Sequence, residues 1–225
     1  MNTIWQKRWH ENKSLIYFIV LMIVFRSSLA DWNSVPTGSM KPTIVEGDRI
    51  FVNKIAYDLK LPLSHIRVWS WGNPERGDIV VFDSTIENTR LVKRVIGLPG
   101  DVIAMQNNQL FINGQLVTYT EHRLVDSNLR AVEQLVNHSH AMQISTVEQS
   151  SASSFDPVKV PAENYLVLGD NRDNSKDSRY IGFIPRNEIV GSARYLAFSL
   201  NYDNYYLPRR DRFFQALDVS NNSSN

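Results

Sequence analysis

Hydrophobic and polar positions divide this chain into two regimes. From Leu15 to Phe25 (LIYFIVLMIVF) the sequence is unbroken apolar, preceded by Lys7, Arg8 and Lys13 and closed by Arg26. From Ile44 onward, apolar residues come in short alternating runs separated by Gly, Pro, Asn and Asp, which predicts strands joined by tight turns. The expected strands are Ile44–Asn53 after a Gly47-Asp48 turn, Ile79–Phe82, Thr89–Ile96, Val102–Ala104, Leu110–Ile112, Leu116–Tyr119, Tyr165–Leu168 and Ile189–Leu200. Asn107-Asn108 and Asn113-Gly114 mark hairpin turns, the second a strong signal because both of its central positions tolerate positive φ. Asn53–Gly72 is less regular, and its Tyr57, Trp69 and Trp71 with Leu59, Leu61 and Leu63 suit either a membrane-interface loop or ordinary core. Leu124–Val136 fits a weak helix or a long β-ribbon. Ser-rich Thr146–Ser154 predicts a flexible tip, Arg209–Leu217 a short amphipathic helix, and Ser220–Asn225 a disordered end.

The apolar run has three readings. As an uncleaved anchor it sends the rest of the chain across a membrane, with the basic front end kept in the cytoplasm. As a cleaved signal peptide it has a fitting length and a small-x-small site at Ser28-Leu29-Ala30. As a core helix it would be buried. Arg26 and Ser27 between the run and the small-x-small site, and the nearness of that site to Ser39, favour the anchor. The run is shorter than the ~20 residues that cross a bilayer, and extending it to Ala30 with Arg26 snorkelling nearly closes the gap.

Composition narrows the chemistry. The chain has 225 residues, 43% of them hydrophobic, enough for one large or two small globular domains. A formal charge of +1 with scattered basic residues gives no nucleic-acid footprint. With no cysteine, thiol catalysis, disulfides and cysteine metal sites are excluded. The histidines sit in polar or loop contexts: His138-Ser139-His140 lacks a metal-ligand spacing, and His10-Glu11 lacks the second histidine of a zinc-protease helix. No metal or cofactor is expected.

Candidate chemistry centres on Pro36-Thr37-Gly38-Ser39-Met40-Lys41-Pro42-Thr43. Two prolines stiffen this stretch and restrict the residues before them, while Gly38 permits a close backbone approach. Such a segment either presents the Ser39 hydroxyl or is a plain polar turn. A serine nucleophile needs a base, and a lysine serves if burial keeps it neutral. In an extended strand Lys93 shares a face with Leu91 and Val95, so it stands in an apolar row; the plain alternative is an edge-strand lysine that keeps other chains away. Gly169–Arg179 (GDNRDNSKDSR) is dense in acids but lacks the alternate carboxylates and sixth-position glycine of a calcium loop. It reads instead as a hydrogen-bonded wall beside a site, with Ser175 able to bond a buried amine and Asp177 and Arg179 pairing within the loop.

Five blocks, in order, carry a family resemblance: PTGSMKPT (36–43), Gly47-Asp48, RGDIVVF (76–82), VKRVIGLPGD (92–101) and GDNRDNSKDSRYIG (169–182). Together they resemble bacterial type I signal peptidase from Pro36 to about Leu200, with 104–160 matching loosely. The resemblance implies a membrane-bound Ser/Lys-dyad endopeptidase that removes signal peptides from exported preproteins after small residues at −1 and −3. In it Ser39 is the nucleophile and Lys93 the general base. The Ser39 N–H and the Thr37 hydroxyl form the oxyanion hole, where serine is the commoner occupant of the position of Thr37. Ser175 orients the lysine, and Arg94, Asp170, Asp177 and Arg179 are structural positions beside the site. Val35, Pro36, Met40, Ile44, Leu91 and Val92 line the substrate pockets. The implied fold is mainly β: an antiparallel catalytic domain with SH3-like barrel features (31–103 and 161–217), an inserted β-ribbon subdomain (104–160), a cytoplasmic N-terminus (1–13), one transmembrane helix (14–30) and a disordered tail (218–225). The implied location is the bacterial cytoplasmic membrane, single-pass, with the catalytic domain on the outer, periplasmic face. The implied partners are preprotein signal peptides, the lipid bilayer and the secretion machinery, without nucleic acid.

Three rival functions stand beside this one. A LexA-like self-cleaving protein shares the Ser/Lys chemistry, but no helix-turn-helix precedes Ser39. A specialised peptidase for one substrate, as in conjugative transfer, would carry the same residues. A catalytically silent, membrane-tethered binding domain would not need Ser39, Lys93, Ser175 and Thr37 together.

Overall fold

A computed structural model describes residues 2–62, 64, 66–136, 138–202 and 204–217; the expectations for Leu63 and for the 218–225 tail fall outside them. The chain opens with helix α1 (Asn2–Ser28) and continues through β1 (Ala30–Ser34), β2 (Asp48–Asn53), β3 (Asp58–Lys60), β4 (Arg67–Ser70), β5 (Ile79–Ser84) and β6 (Thr89–Gly97). Next come β7 (Val102–Gln106), β8 (Gln109–Ile112), β9 (Gln115–Leu116), β10 (Thr118–Val125), β11 (Asn128–Leu135), β12 (His138–Ser145) and β13 (Phe155–Lys159). β14 (Asn164–Leu168), the short α2 (Ser178–Ile181), β15 (Ile184–Pro185), β16 (Ile189–Asn201) and β17 (Leu207–Pro208) complete it.

The protein is mainly β, and its sheets are antiparallel. The largest follows the order β1-β2-β16-β5-β6-β14-β15, with β17 on β16. β16 is long enough to pair with β2 along one stretch and β5 along another, and bulges let it bend between them. Smaller sheets are β13-β7-β8-β9, β10-β11-β12 and β3-β4. The apolar alternation explains the packing of β5 and β6. Ile79 and Val81 face one core with Met40, Ile44, Ile50 and Val52, while Val80 and Phe82 face another with Val95, Tyr165 and Val167. A third core joins Ile96, Leu166 and Leu168 to Ile103, Leu110 and Val117, so the second sheet is packed onto the first.

The hairpin turns follow their signals. Asn107-Asn108 connect β7 to β8 and Asn113-Gly114 connect β8 to β9, all at positive φ. Leu124–Val136 is ribbon rather than helix: β10 and β11 pair around the Asp126-Ser127 turn. Two other local expectations change. Thr146–Ser154 is pinned, since Asp173 accepts from the Ser145 and Ser150 N–H groups and Arg179 donates to the Ala152 carbonyl. Arg209–Leu217 forms no helix. It runs beside β16, with the Leu196 N–H donating to the Gln215 carbonyl, Phe213 stacked on Phe198 and Leu217 buried in a core. Tertiary contacts along an extended path outweigh the weak helical period there.

α1 continues well upstream of its apolar run. Every side chain from Leu15 to Phe25 is exposed, which removes the core-helix reading. Among the described residues no helix is long and apolar enough to cross a membrane; Leu15–Phe25 makes roughly 16 Å of helix, against a ~30 Å hydrocarbon core. The C-terminal end of α1 is held to the sheet by Lys54, whose Nζ donates to the Arg26 and Ser27 carbonyls, and by an Arg26–Asp31 ion pair. Trp69, Trp71, Ile66 and Val68, on and beside β4, are exposed, whereas Tyr57 is buried and donates to Asp78.

Candidate active site

Ser39 lies in a one-turn 3₁₀ segment, Gly38–Met40, between Thr37 in extended conformation and Lys41. Three features hold it. Met40 is fully buried in the core and anchors the turn from below. Asn171 clamps it from above: its backbone N–H donates to the Ser39 carbonyl at 3.0 Å and its side-chain Nδ2 to the Gly38 carbonyl at 3.0 Å. Gly169 packs against the same point, where a Cβ would stand 2.5 Å from the Ser39 carbonyl oxygen and 2.2 Å from Ser175 Oγ. No side chain fits there without moving backbone.

Lys93 reaches this turn from β6. It pairs with Val80 of β5 and shares its face with Leu91 and Val95, the apolar row expected from alternation. It is not on an edge, since β6 lies between β5 and β14. Its Nζ donates to Ser39 Oγ at 2.6 Å, and the lysine is 3% exposed. Burial is the largest influence on the amine and lowers its pKa to about 8 from the ordinary 10.5, while Asp177 and Asp170 pull it upward and Arg179 downward. Among the described residues no carboxylate bonds the amine directly, so the effect of burial prevails and the amine loses its proton at a lower pH than an exposed lysine. Thr37 Oγ1 stands 3.5 Å from Ser39 Oγ, on the opposite side of the nucleophile in sequence from Lys41.

The Gly169–Arg179 loop walls the site through ion pairs. Asp170 takes a bidentate pair from Arg94 at 2.8 Å and a bond from Thr43 Oγ1 at 2.5 Å, with Arg94 and Asp170 both 1% exposed. This ties β6 and the segment after Ser39 to the loop. Asp177 accepts from the Gly169 N–H at 2.9 Å and pairs with Arg179 at 2.8 Å, fixing the loop's two ends. Arg172 pairs with the buried Glu133 of β11, which also accepts from Tyr119. Behind them His140 lies 3.4 Å from Glu133 and 3.6 Å from Asp170. Burial first, then Arg94, holds its pKa well below the ordinary histidine value.

The structure brings together Ser39, Lys93 and Thr37, with Arg94, Asp170, Asp177 and Arg179 in the wall behind them. Ser175 is buried and adjacent, yet its hydroxyl has no hydrogen-bond partner among the described residues, so it is not bonded to Lys93. Of the expected pocket residues, Pro36 is exposed and Leu91 and Val92 are half-buried. Val35 is 3% exposed, and Met40 and Ile44 are completely buried, so these last two offer no accessible surface. Sequence reasoning missed Asn171 and Thr43 as individual contributors. Both stand in quoted motif blocks, but nothing in a polar loop or a turn distinguishes the residue that clamps from its neighbours. Among the described residues no cluster of three His, Asp or Glu groups could hold a metal ion.

The chain is similar to known proteins along most of its length. Residues 7–198 match the family model described as signal peptidase, peptidase S26. A signal peptidase I of Pseudomonas fluorescens is 37% identical over 203 residues, covering 80% of this chain and 69% of its own length. Signal peptidase I P of Bacillus subtilis subsp. natto is 35% identical over 190 residues, covering 84% of this chain and 88% of its own. A solved signal peptidase I from Enterococcus faecalis V583 is 30% identical, with 55% of this chain and 98% of that one covered at a TM-score of 0.36.

Proposed function

The chain belongs to the signal peptidase family, peptidase S26, whose members are serine-protease hydrolases, and from that premise we propose that it cleaves signal peptides from preproteins with Ser39 as nucleophile and Lys93 as general base. The observation that carries this reading is the 2.6 Å contact between Lys93 Nζ and Ser39 Oγ, made by a buried lysine with a pKa of about 8. In its neutral form Lys93 accepts the proton of the Ser39 hydroxyl as the oxygen attacks the scissile carbonyl. The resulting lysine ammonium then returns the proton to the leaving amine, and a water releases the acyl group from Ser39 by the same exchange in reverse. Thr37 Oγ1 is close enough to turn its hydroxyl toward the developing oxyanion, with the Ser39 N–H as second donor. A donor of this kind is typically worth about 10²–10³ in rate.

Ser175 is assigned to orient Lys93. Its unpaired buried hydroxyl beside Gly169 is free to take a bond when the amine changes protonation state. Pro36, Leu91 and Val92 supply the accessible apolar surface for small residues at −1 and −3. The catalytic unit is assigned to 31–103 and 161–217, with the barrel-like features of the family, and 104–160 to an insertion.

The membrane anchor is α1. A helix whose apolar side chains from Leu15 to Phe25 stand exposed has no covering surface over that run among the described residues, and a bilayer supplies one. With Lys13 and Arg26 snorkelling, the exposed part of α1 from Ser14 to Arg26 seats in the bilayer, leaving 1–13 in the cytoplasm and the catalytic unit at the outer face, while Ser28 and Ala30 of the expected 14–30 anchor stay with the sheet. The exposed Trp69 and Trp71 suit the interfacial zone.

The test is cleavage of a preprotein with an Ala-x-Ala site by the purified full chain in detergent. Wild type is expected to cut after the −1 alanine, with Ser39→Ala and Lys93→Ala both inert while folded. Full activity in Lys93→Ala sinks the dyad. A wild type inert on several preproteins favours the narrow-substrate or binding-domain readings.

A further inference from the structure

A pocket of about 200 Å³ opens where α1 meets the sheet. Ser27 and Ser28, the last two residues of that helix, line it together with Lys54, Lys60, Asp83 and Arg90. It begins just past Arg26 and the exposed Phe25, so α1 as an anchor sets it at the headgroup layer of the bilayer. None of these residues belongs to the proposed dyad, its oxyanion donors or the acyl-side surface. A volume below the ~300–1,000 Å³ of sites that enclose whole small molecules suits one compact group.

The charge around this pocket is unbalanced. Lys54, Lys60 and Arg90 are cations, and Asp83 is the one carboxylate beside them. Arg90 and Asp83 pair at 2.7 and 3.1 Å and so neutralise each other. Lys54 stands 3.7 Å from Asp31, an acid already paired with Arg26 at 3.0 Å. Lys60 has no carboxylate partner among the described residues. Its Nζ donates to the Ile189 carbonyl at 2.7 Å, and Asp58 of the same strand is taken by Arg186 at 2.9 Å and Arg67 at 3.2 Å. An ammonium has three donors and a guanidinium five, so Lys60 and Arg90 both keep N–H groups to give. Burial first lowers the pKa of both lysines. Asp31 opposes this at Lys54 and Arg90 adds to it, while Asp58 opposes it at Lys60 and Arg186 adds to it. Half-buried ammonium groups without matching carboxylates are stabilised by an anion that arrives.

The source of the anion follows from the place. A helix end at a bilayer face meets phospholipid heads, and basic side chains that border such a segment attract the anionic ones. We infer that this pocket receives the phosphate of an anionic phospholipid, with Lys60 and Arg90 donating to its oxygens and its acyl chains lying along the exposed apolar run of α1. The lipid braces the junction of anchor and sheet, where Lys54 already holds the Arg26 and Ser27 carbonyls. The inference rests on the reading of α1 as an anchor and adds to it a lipid of stated charge.

The experiment uses the full chain in two steps. Flotation with phosphatidylcholine vesicles tests the anchor alone. Calorimetric titration in neutral detergent, at fixed ionic strength, then compares dihexanoyl phosphatidylglycerol, dihexanoyl phosphatidylcholine and inorganic phosphate. Phosphatidylglycerol is expected to bind saturably at one site, about tenfold tighter than either of the others. Lys60→Gln keeps a donor for the Ile189 carbonyl, and Arg90→Gln removes a different cation. Each should weaken phosphatidylglycerol about tenfold, the scale of one charge-assisted hydrogen bond, whereas Lys159→Gln on the remote β13 should not. Equal binding of the two lipids, or a phosphatidylglycerol affinity unchanged in both pocket variants, overturns the assignment of the pocket while the anchor stands. Inorganic phosphate binding as tightly as phosphatidylglycerol overturns the lipid as occupant. A chain that does not float with the vesicles overturns the anchor reading, and this inference with it.

Discussion

Replacing Lys93 by methionine removes the proposed base and, at the same time, a buried amine that burden the fold with its charge. Burial lowers the lysine pKa from 10.5 to about 8. That difference corresponds to about 3 kcal/mol of destabilisation while the lysine must be protonated in both folded and unfolded chains. Between those two values the unfolded chain keeps a proton that the folded chain has released, so wild-type stability rises with pH across this window. Below it the penalty is fully present; above it the penalty is gone. Methionine matches the stem and carries no charge, so Lys93→Met is expected to be inactive yet more stable than wild type at pH 7. Loss of the Ser39 bond offsets roughly 1 kcal/mol of the gain. Equilibrium unfolding in denaturant, run on both proteins from pH 7 to 10.5, isolates the effect because other titrations cancel in the difference. The stability difference should shrink by about 3 kcal/mol over that range. A difference that does not vary with pH, or a variant less stable at pH 7 than at pH 10.5 relative to wild type, refutes the claim that burial lowers the pKa of Lys93.

Three other substitutions probe the parts that hold the dyad. Asn171→Ala removes the side-chain bond to Gly38 but keeps the backbone bond to Ser39; it should reduce kcat about tenfold and stability by about 1 kcal/mol, read by preprotein cleavage and denaturant unfolding. Asp170→Asn leaves Arg94 buried without its bidentate partner, and a loss of about 3–5 kcal/mol in unfolding free energy is expected. Gly169→Ala drives a Cβ into Ser175 Oγ and the Ser39 carbonyl; a cost of about 1–3 kcal/mol and a larger fall in kcat than in stability-matched surface variants should follow, measured in the same two assays.

What the sequence disclosed depended on how local the cause was. The Asn113-Gly114 turn needs only its own two residues at positive φ, and it appears where its signal stands. The placement of Lys93 follows from strand alternation, because Leu91 and Val95 share its core. Ser39 needed more: its stiff flanks are visible in the two prolines, but the clamp by Asn171 comes from a loop far along the chain. Burial depth was not legible in the same way. Met40 and Ile44 sit in the right segment for a pocket, yet neighbouring strands cover them completely. Arg209–Leu217 shows why short helical periods mislead, since pairing along β16 and the buried Leu217 settle its path. The Ser-rich 146–154 segment looked mobile by composition, while Asp173 and Arg179, remote in sequence, hold it in place.

The most direct measurement is the pH dependence of kcat/KM for cleavage of an Ala-x-Ala preprotein by the full chain. If a neutral Lys93 takes the Ser39 proton, the rate rises with pH and reaches half its plateau near the lysine's pKa of about 8, and no such limb survives in Ser39→Ala or Lys93→Ala. A profile flat across pH 7 to 9, or an ascending limb centred in the ordinary histidine range, contradicts the account.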